Sequence, residues 1–200
     1  MLERDIAEAL VGDEILRIKR YQNEVITDMS GVRLEFMDVK FEKCRFENCD
    51  FSGSSFYDTR FAQCDFSNCK FRDCYFKNTQ FQDCKGNGSD FCRGTFVMST
   101  IEKGSYHYVN CGDSSWDSCR FLECDFREAF FSEVKFKRTT FGNVDFTKVD
   151  FFKTTLKGID LSDCIIDGIS VSDTLNELKG VKINAMQAIE VVRLLGIKLV

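Results

Sequence analysis

The sequence predicts an all-β repeat protein, a solenoid whose backbone turns once every five residues. From position 36 to position 171, every fifth residue except Gly86 and Cys111 is large and apolar, and most of these residues have a small residue two positions earlier. The segment 34–173 holds 28 such units without insertion or deletion, and 19 of the 21 Phe residues occupy the fifth-residue sites. A period of five fits neither an α-helix nor a flat strand, and a fixed period is typical of repeat architectures.

The small residues form a second column. They include Cys44, Cys49, Ser54 and Thr59. Residues two apart on an extended segment point to the same side, so each unit is expected to bury one small and one large side chain. Gly86 is the one fifth-residue site without a side chain, and we expect it to leave a hole in the core.

Stretches such as FEKCRFENCDF and FSNCKFRDCYF resemble the pentapeptide-repeat family, whose motif is small–polar–Phe/Leu–x–x. The resemblance covers about 140 of the 200 residues. It implies a right-handed quadrilateral parallel β-helix with four units per coil, hence about seven coils over 34–173. At ~4.8 Å per coil, the column would be roughly 34 Å long. The absence of Pro fits a continuous ladder of backbone hydrogen bonds.

Residues 1–33 are expected to form an N-terminal cap, because an open solenoid end exposes core and unpaired strand edges. Apolar residues at helical spacing predict a short helix near the start, and residues 15–21 have the character of a strand. We expect the regular coil to start near Val32. Before that point, the small column would hold residues that are too large and charged, namely Arg4, Glu14, Lys19 and Glu24.

Residues 174–200 are expected to cap the last coil and to join two chains. Asn184 can cap a helix that runs to Leu195, and Gly196 suits the helix end. The ending RLLGIKLV resembles the tail of the gyrase-protecting subgroup of pentapeptide proteins, which implies a homodimer formed through the C-terminal helix. The candidate dimer contacts are Met186, Val191, Leu194, Ile197 and Leu199.

The cysteines are best explained as small apolar core residues. Nine of the eleven lie in the small column. Zinc binding is the alternative, but it favours closely spaced pairs such as C-x-x-C, whereas the repeat spaces these residues as C-x4-C and His107 is the only His. We therefore expect no metal and no cofactor, and a reducing, cytoplasmic location.

Charge and motifs exclude several classes of function. The net charge is −5 and no basic patch dominates, which disfavours direct nucleic-acid binding. No apolar run reaches the length of a membrane span. The sequence contains no nucleophile, phosphate-loop or dinucleotide motif, so we expect a non-enzymatic protein without catalytic residues.

The four predicted faces, named first to fourth from the units centred on Phe36, Phe41, Phe46 and Phe51, carry charges of +1, −1, −2 and −3. The third and fourth faces adjoin, which suggests a rod that could mimic DNA. The candidate acidic binding residues there are Asp50, Asp65, Asp90, Asp113, Asp125, Asp145, Asp150 and Asp167.

The resemblance to the gyrase-protecting subgroup implies a protein partner, DNA gyrase or topoisomerase IV, and tolerance of an antibiotic or toxin. The unbroken register leaves no room for the large loops that quinolone-resistance members carry. The alternative is a general interaction scaffold that docks its partner through the glycine-rich segment from Gly86 to Gly112.

Overall fold

The computed structural model describes residues 1–12 and 15–198. A helix α1 (Leu2–Gly12) precedes the strands, and a 3-10 turn (Asn176–Leu178) and a helix α2 (Ala188–Leu194) follow them. The strands are β1 (Leu16–Gln22), β2 (Val25–Thr27), β3 (Glu35–Glu42), β4 (Arg45–Glu47), β5 (Ser55–Tyr57), β6 (Arg60–Ala62), β7 (Tyr75–Lys77), β8 (Gln80–Gln82), β9 (Thr95–Val97), β10 (Thr100–Glu102), β11 (Ser115–Asp117), β12 (Arg120–Leu122), β13 (Lys135–Lys137) and β14 (Thr140–Gly142).

The chain winds into a parallel β-helix with 20 residues per coil. Phe36 pairs with Phe56, and Phe56 pairs with Phe76. Single bridges continue the same step on another side, from Ser30 to Ser170 in seven steps of 20 residues. Four five-residue units therefore complete one coil, which confirms the right-handed quadrilateral β-helix that the sequence predicts.

The four faces are of two kinds. Strands β5 to β14 lie on the first and second faces, whereas the third and fourth faces consist mainly of tight turns joined by single bridges. On the third face, the amide of Cys69 donates to the carbonyl of Phe66 at 3.1 Å, and Asn68 between them has a φ of 59°. A positive φ at that point of the turn is tolerated best by Gly, Asn and Asp. Left-handed residues recur at the corners, and many of them are of these types.

The core is a set of stacked aromatic rings. Along the first face, the ring centroids of Phe36 and Phe56 are 4.8 Å apart, and those of Phe76 and Phe96 are 4.6 Å apart. Neighbouring rings within one coil meet edge to face, as Phe46 and Phe51 do with planes at 84°. Offset stacks and edge contacts are both favourable arrangements of aromatic quadrupoles, so the repeat places each ring in contact with others along and around the axis.

The small column is buried beside the rings. Thiols there donate weak hydrogen bonds to carbonyls of the preceding coil, for example from Cys64 to Phe41 at 3.4 Å and from Cys74 to Phe51 at 3.1 Å. Burial raises the pKa of Cys74 to about 12. Cysteines with high pKa values and little exposure are unreactive. All eleven cysteines are free thiols, as expected of core residues.

The coil begins earlier than the sequence predicts. Strand β1 pairs with β3, with Leu16 beside Phe36, so residues expected in the cap already form a first coil. Two of the four charged residues that argued against this contact α1: Lys19 Nζ lies 3.0 Å from Asp5, and Glu24 accepts the amide of Leu2 at 2.7 Å. Arg4 lies in α1 itself, and Glu14 lies outside the described residues. Lys19 and Glu24 are tolerated because the first coil has no coil before it, and its polar side chains bond the capping helix instead.

Gly86 leaves no hole, which corrects the sequence-based expectation. A Cβ at Gly86 would lie 2.6 Å from the Phe66 ring and 2.8 Å from the Tyr106 ring. These rings come from the coils on either side, about 9.6 Å apart by coil spacing, yet their centroids are only 6.3 Å apart. Phe66 and Tyr106 thus lean into the space that the glycine vacates.

Two polar side chains close the C-terminal end. The buried carboxylate of Glu177 accepts the amide of Lys153 at 2.9 Å, and the buried amide of Gln187 donates to the carbonyls of Leu161 and Cys164 at 2.8 and 2.6 Å. They satisfy backbone groups that a further coil would otherwise bond. The tail itself stacks on the last coil with a step of 22 residues, from Asp160 to Lys182.

Candidate functional site

Six of the eight candidate acidic residues hold turns on the third and fourth faces. Each carboxylate accepts the backbone amide two residues ahead at 2.8–3.1 Å; these residues are Asp50, Asp65, Asp90, Asp125, Asp145 and Asp150. This is the Asx-turn bond, which fixes the side chain against its own backbone. The carboxylates therefore stand at fixed positions along the rod, and they shape the turns as well as charging the surface.

Asp113 and Asp167 differ from the other six. Both are exposed, and within residues 1–12 and 15–198 neither side chain makes a hydrogen bond or an ion pair. Asp113 occupies a corner in the left-handed conformation, with a φ of 57°. Their carboxylates are thus available to a partner, but they lie on different faces.

Basic side chains interrupt the acidic row. Lys70 Nζ lies 3.9 Å from Asp50, Arg72 bonds Asp90, and Arg127 lies 2.8 Å from Asp125. Exposed ion pairs of this kind contribute little to stability. The basic side chains do reduce the negative charge of the third and fourth faces. The net charge of these faces is therefore smaller than the number of carboxylates suggests.

A cluster of charged side chains surrounds Asp125. His107 Nε2 lies 2.6 Å from this carboxylate, and Arg127 spans both Asp125 and Asp145, at 3.9 Å from the latter. Burial acts to raise the pKa of Asp125, but hydrogen bonds from Arg127 and His107 outweigh it and hold the pKa below its ordinary value. Asp125 is therefore ionised at neutral pH. His107 was not among the predicted site residues, because the five-residue pattern places it on the surface without indicating a partner for its side chain.

The glycine-rich segment forms regular coil. Strands β9 and β10 lie inside it and pair in register with the coils on both sides. It contains no bulge. Two of its apolar side chains, Met98 and Tyr108, are exposed at corners, so any docking there would use these side chains rather than a distorted backbone.

The C-terminal helix lies on the coil with a partly covered face. No residue of α2 is fully buried. Leu194 packs against the core of the coil, Val191 is half-buried, and Met186 and Ile197 are 74% and 52% exposed. Among the candidate dimer contacts, Met186 and Ile197 thus offer the most apolar surface, and Leu199 lies outside the described residues. Asn184 is not the cap of α2, because the helix begins at Ala188 with Gln187 in the N-cap position. Its Oδ1 accepts the amides of Met186 and Gln187 at 2.9 and 3.0 Å and holds the turn that leads into the helix.

Two exposed aromatic side chains near the C-terminal end of the fourth face were not among the predicted site residues. Phe130 and Phe152 are the two Phe residues outside the five-residue column, and both are substantially exposed. Their position outside the five-residue column of Phe was the sequence signal that could have identified them.

No group of three or more His, Cys, Asp or Glu residues in the described part of the chain is arranged to hold a metal ion. Neither helix of that part is long and apolar enough for a membrane span.

These features define a class of protein: a single-core solenoid that presents four nearly flat faces and turn-fixed charges to its surroundings. A family model described as a pentapeptide repeat region matches residues 34–111 and 114–191. The chain belongs to the pentapeptide-repeat family.

The chain is similar in structure to a trypsin-treated variant of QnrB1, a plasmid-mediated fluoroquinolone resistance protein. The TM-score is 0.59 at 20% identity, over 91% of this chain and 100% of that chain. A pentapeptide repeat protein from the Arabidopsis thaliana thylakoid lumen gives a TM-score of 0.44 at 14% identity, over 46% of this chain and 64% of that chain. No curated protein sequence matches this chain. At these identities the likeness concerns the fold alone.

Proposed function

We propose that this protein is a non-enzymatic, cytoplasmic binding protein that engages DNA gyrase or topoisomerase IV as a mimic of DNA. The observation that carries the proposal is the row of turn-fixed carboxylates on two adjoining faces of a rod. Carboxylates held by their own backbone need no ordering when a partner binds, and ordering of side chains is a main cost of association. The fold likeness to QnrB1, a fluoroquinolone resistance protein, supports the choice of partner.

The proposal predicts protection of gyrase from a quinolone. Purified protein is titrated into a gyrase supercoiling assay with and without the drug, and supercoiling is expected to recover as protein is added. Recovery should weaken steeply with salt, because charge-driven association is screened. Lack of any effect on gyrase or topoisomerase IV, with or without drug, would reject the proposal and favour a general scaffold.

Substitution of Asp by Asn tests the charge separately from the turn. Asn keeps the oxygen that accepts the turn amide, and Asn110 already does so in the fourth face, with the Gly112 amide at 3.0 Å. We expect the triple variant Asp65→Asn, Asp145→Asn and Asp150→Asn to fold normally but to lose at least about tenfold in apparent affinity, as losses of interface charge commonly do. The matched control is Asp160→Asn, an equivalent turn residue on the second face. Equal affinity of the triple variant and the control would contradict the DNA-mimic mechanism.

We also propose that two chains associate through the C-terminal helix. Met186 and Ile197 expose apolar surface beside α2, and apolar patches on a protein surface mark contact sites. Ile197→Asp is expected to give monomers at concentrations where the wild type is a dimer, as measured by light scattering after size exclusion. Ile18→Asp, at the exposed opposite end of the rod, should leave the dimer unchanged. A monomeric wild type at high concentration would refute the association.

A further inference from the structure

Two phenylalanine side chains flank one carboxylate on the fourth face. Phe130 and Asp150 are bridge partners in successive coils, so their outward side chains are neighbours at the spacing of one coil, about 4.8 Å. Phe152 follows two residues later on the same face, and its amide donates to Asp150 Oδ1 at 2.9 Å. Both phenylalanines are open to solvent, since Phe130 is 49% exposed and Phe152 is 41% exposed. The carboxylate of Asp150 therefore lies between two accessible aromatic side chains.

Asp150 bonds only neutral groups among the described residues. The Ser132 hydroxyl donates to its Oδ2 at 2.6 Å, and the Ser170 hydroxyl donates to its Oδ1 at 3.4 Å. Together with the Phe152 amide, these donors use three of the roughly four acceptor positions of a carboxylate. Lys148, which precedes Asp150 by two residues, forms no ion pair with it. An acceptor position and the negative charge of Asp150 thus remain for a partner.

The pair formed by Arg72 and Asp90 on the same face shows what Asp150 lacks. Arg72 lies 18 residues before Asp90, and its Nε bonds that carboxylate. Ser132 occupies the equivalent position before Asp150, because it also lies 18 residues earlier and also bonds the carboxylate. A serine side chain is shorter than an arginine side chain and carries no charge. At Asp150 the fourth face therefore repeats the arrangement of an arginine–aspartate pair without its guanidinium group.

The two rings favour a guanidinium group over an ammonium group. A guanidinium group is planar, stacks on aromatic faces and pairs with a carboxylate through parallel hydrogen bonds, whereas an ammonium group is a compact point charge. The Phe152 ring already accepts a cation beside it, because Lys153 Nζ lies 5.1 Å from the ring centre. Glu133, at 3.1 Å, compensates the charge of Lys153. The charge of Asp150 is left for a cation from outside the chain.

We propose that Asp150, Phe130 and Phe152 form a binding site for an arginine side chain of a partner protein. The guanidinium group donates to the Asp150 carboxylate and lies beside the two rings, in the place that Ser132 leaves open. This site deepens the proposed function, because it names the group by which a topoisomerase would contact the fourth face, and only the identity of the partner rests on that function. A preference for arginine over lysine distinguishes the site from a surface that mimics DNA by charge alone.

The probe is N-acetyl-arginine methylamide, an arginine without terminal charges. It is titrated into the isotope-labelled full-length protein, and the backbone amide resonances of Phe130 and Phe152 are followed by NMR, which detects weak binding. N-acetyl-lysine methylamide is the control for charge. We expect the arginine compound to bind at least about threefold more tightly than the lysine compound, because only the planar guanidinium group both stacks on a ring and pairs with a carboxylate.

Ser132→Arg fills the site from within the chain. The variant reproduces the spacing of Arg72 and Asp90 and keeps both rings and the carboxylate. It should therefore fold and lose at least about fivefold in affinity for the arginine compound, since its own guanidinium group occupies Asp150. Ser52→Arg is the matched control, because Ser52 lies in the same column of the fourth face but in a coil distant from Asp150. The control adds the same charge and should leave the binding unchanged.

Phe130→Ser combined with Phe152→Ser removes the rings and keeps the carboxylate. The double variant is expected to bind the arginine and lysine compounds with equal affinity, because attraction to the charge remains while stacking is lost. Both positions tolerate serine elsewhere on the face, as Ser170 in the column of Phe130 and Ser132 in the column of Phe152 show. Thermal unfolding curves confirm that each variant is folded.

Three results would overturn the proposal. The first is equal affinity of the wild type for the arginine and lysine compounds. The second is equal binding of the arginine compound by Ser132→Arg and by Ser52→Arg. The third is a set of resonance changes that spreads over all the acidic residues without a maximum at Phe130 and Phe152.

The gyrase supercoiling assay separates this site from the proposed function. Selective binding of the arginine compound by a protein that has no effect on gyrase or topoisomerase IV would support the site and reject the topoisomerase partner. Protection of gyrase by a wild type that binds the arginine and lysine compounds equally would support the partner and overturn the site.

Discussion

Gly86→Ala tests how the core closes around the missing ring. The added Cβ would lie 2.6 Å from the Phe66 ring and 2.8 Å from the Tyr106 ring. These distances are shorter than contacts in proteins allow, and both rings are buried among others. Overpacking of a core costs about 1–3 kcal/mol. Replacement of Gly by Ala where φ is not positive returns about 0.4–1 kcal/mol through the unfolded chain.

The expected result is a net loss of about 1–2 kcal/mol, or a fall in Tm of about 2–8 °C for a chain of this size. Urea and thermal unfolding monitored by circular dichroism measure both quantities. Gly142→Ala is the control, because its nearest neighbour is the flexible Leu122 side chain at 3.2 Å. A Gly86→Ala protein as stable as the wild type would show that Phe66 and Tyr106 leave a real hole.

Three further predictions concern buried polar groups. The Tyr106 hydroxyl is buried without a hydrogen-bond partner among the described residues, so Tyr106→Phe should raise the free energy of unfolding by about 1 kcal/mol; a loss of stability in urea unfolding would reveal an unseen partner. Burial acts to raise the pKa of Asp5, but hydrogen bonds from Lys19 and Tyr21 outweigh it and hold it below the ordinary value of 3.8. The stabilisation that the Asp5 carboxylate gives to the fold is therefore fully present above pH 3.8 and is lost as the pH falls through the lowered pKa. Asp5→Asn should lower the free energy of unfolding by about 1–3 kcal/mol at pH 7 and by much less at pH 3. A cost that does not change with pH would contradict this account. Cys92 is the one thiol that is not fully buried, so a thiol reagent should label about one cysteine per native chain, and rapid labelling of several would show that the coils open.

The sequence predicts most of this fold because one short rule is repeated. The inward residue of each unit is visible as Phe at every fifth position, and the 20-residue step then determines which residues are neighbours. The ends follow other rules. Lys19 and Glu24 break the pattern of the small column, yet they lie in the first coil because α1 supplies their partners. The five-residue period alone does not show which charged residues in the small column can find hydrogen-bond partners on a neighbouring helix.

The candidate acidic surface was predicted as a set of charges, and the structure adds their bonds. The spacing from Asp65 to Ser67 is that of an Asx turn, but the sequence alone does not distinguish a turn-forming carboxylate from a free one. The end of the sheet at β13 and β14, each of which pairs only with the strand before it, was not predicted either. Leu156 and Leu161 continue the apolar column in register, while the change from strand to turn depends on backbone geometry that the column does not encode.

The 20-residue step also makes the length of this molecule adjustable in fixed increments. Each coil bonds only the coils before and after it, so removal of residues 116–135 would bring Phe136 onto Phe96 and keep both capped ends unchanged. The rod would shorten by about 4.8 Å, the spacing of one strand. The number of coils would therefore set the distance between the two ends of the rod, independently of the residues at either end.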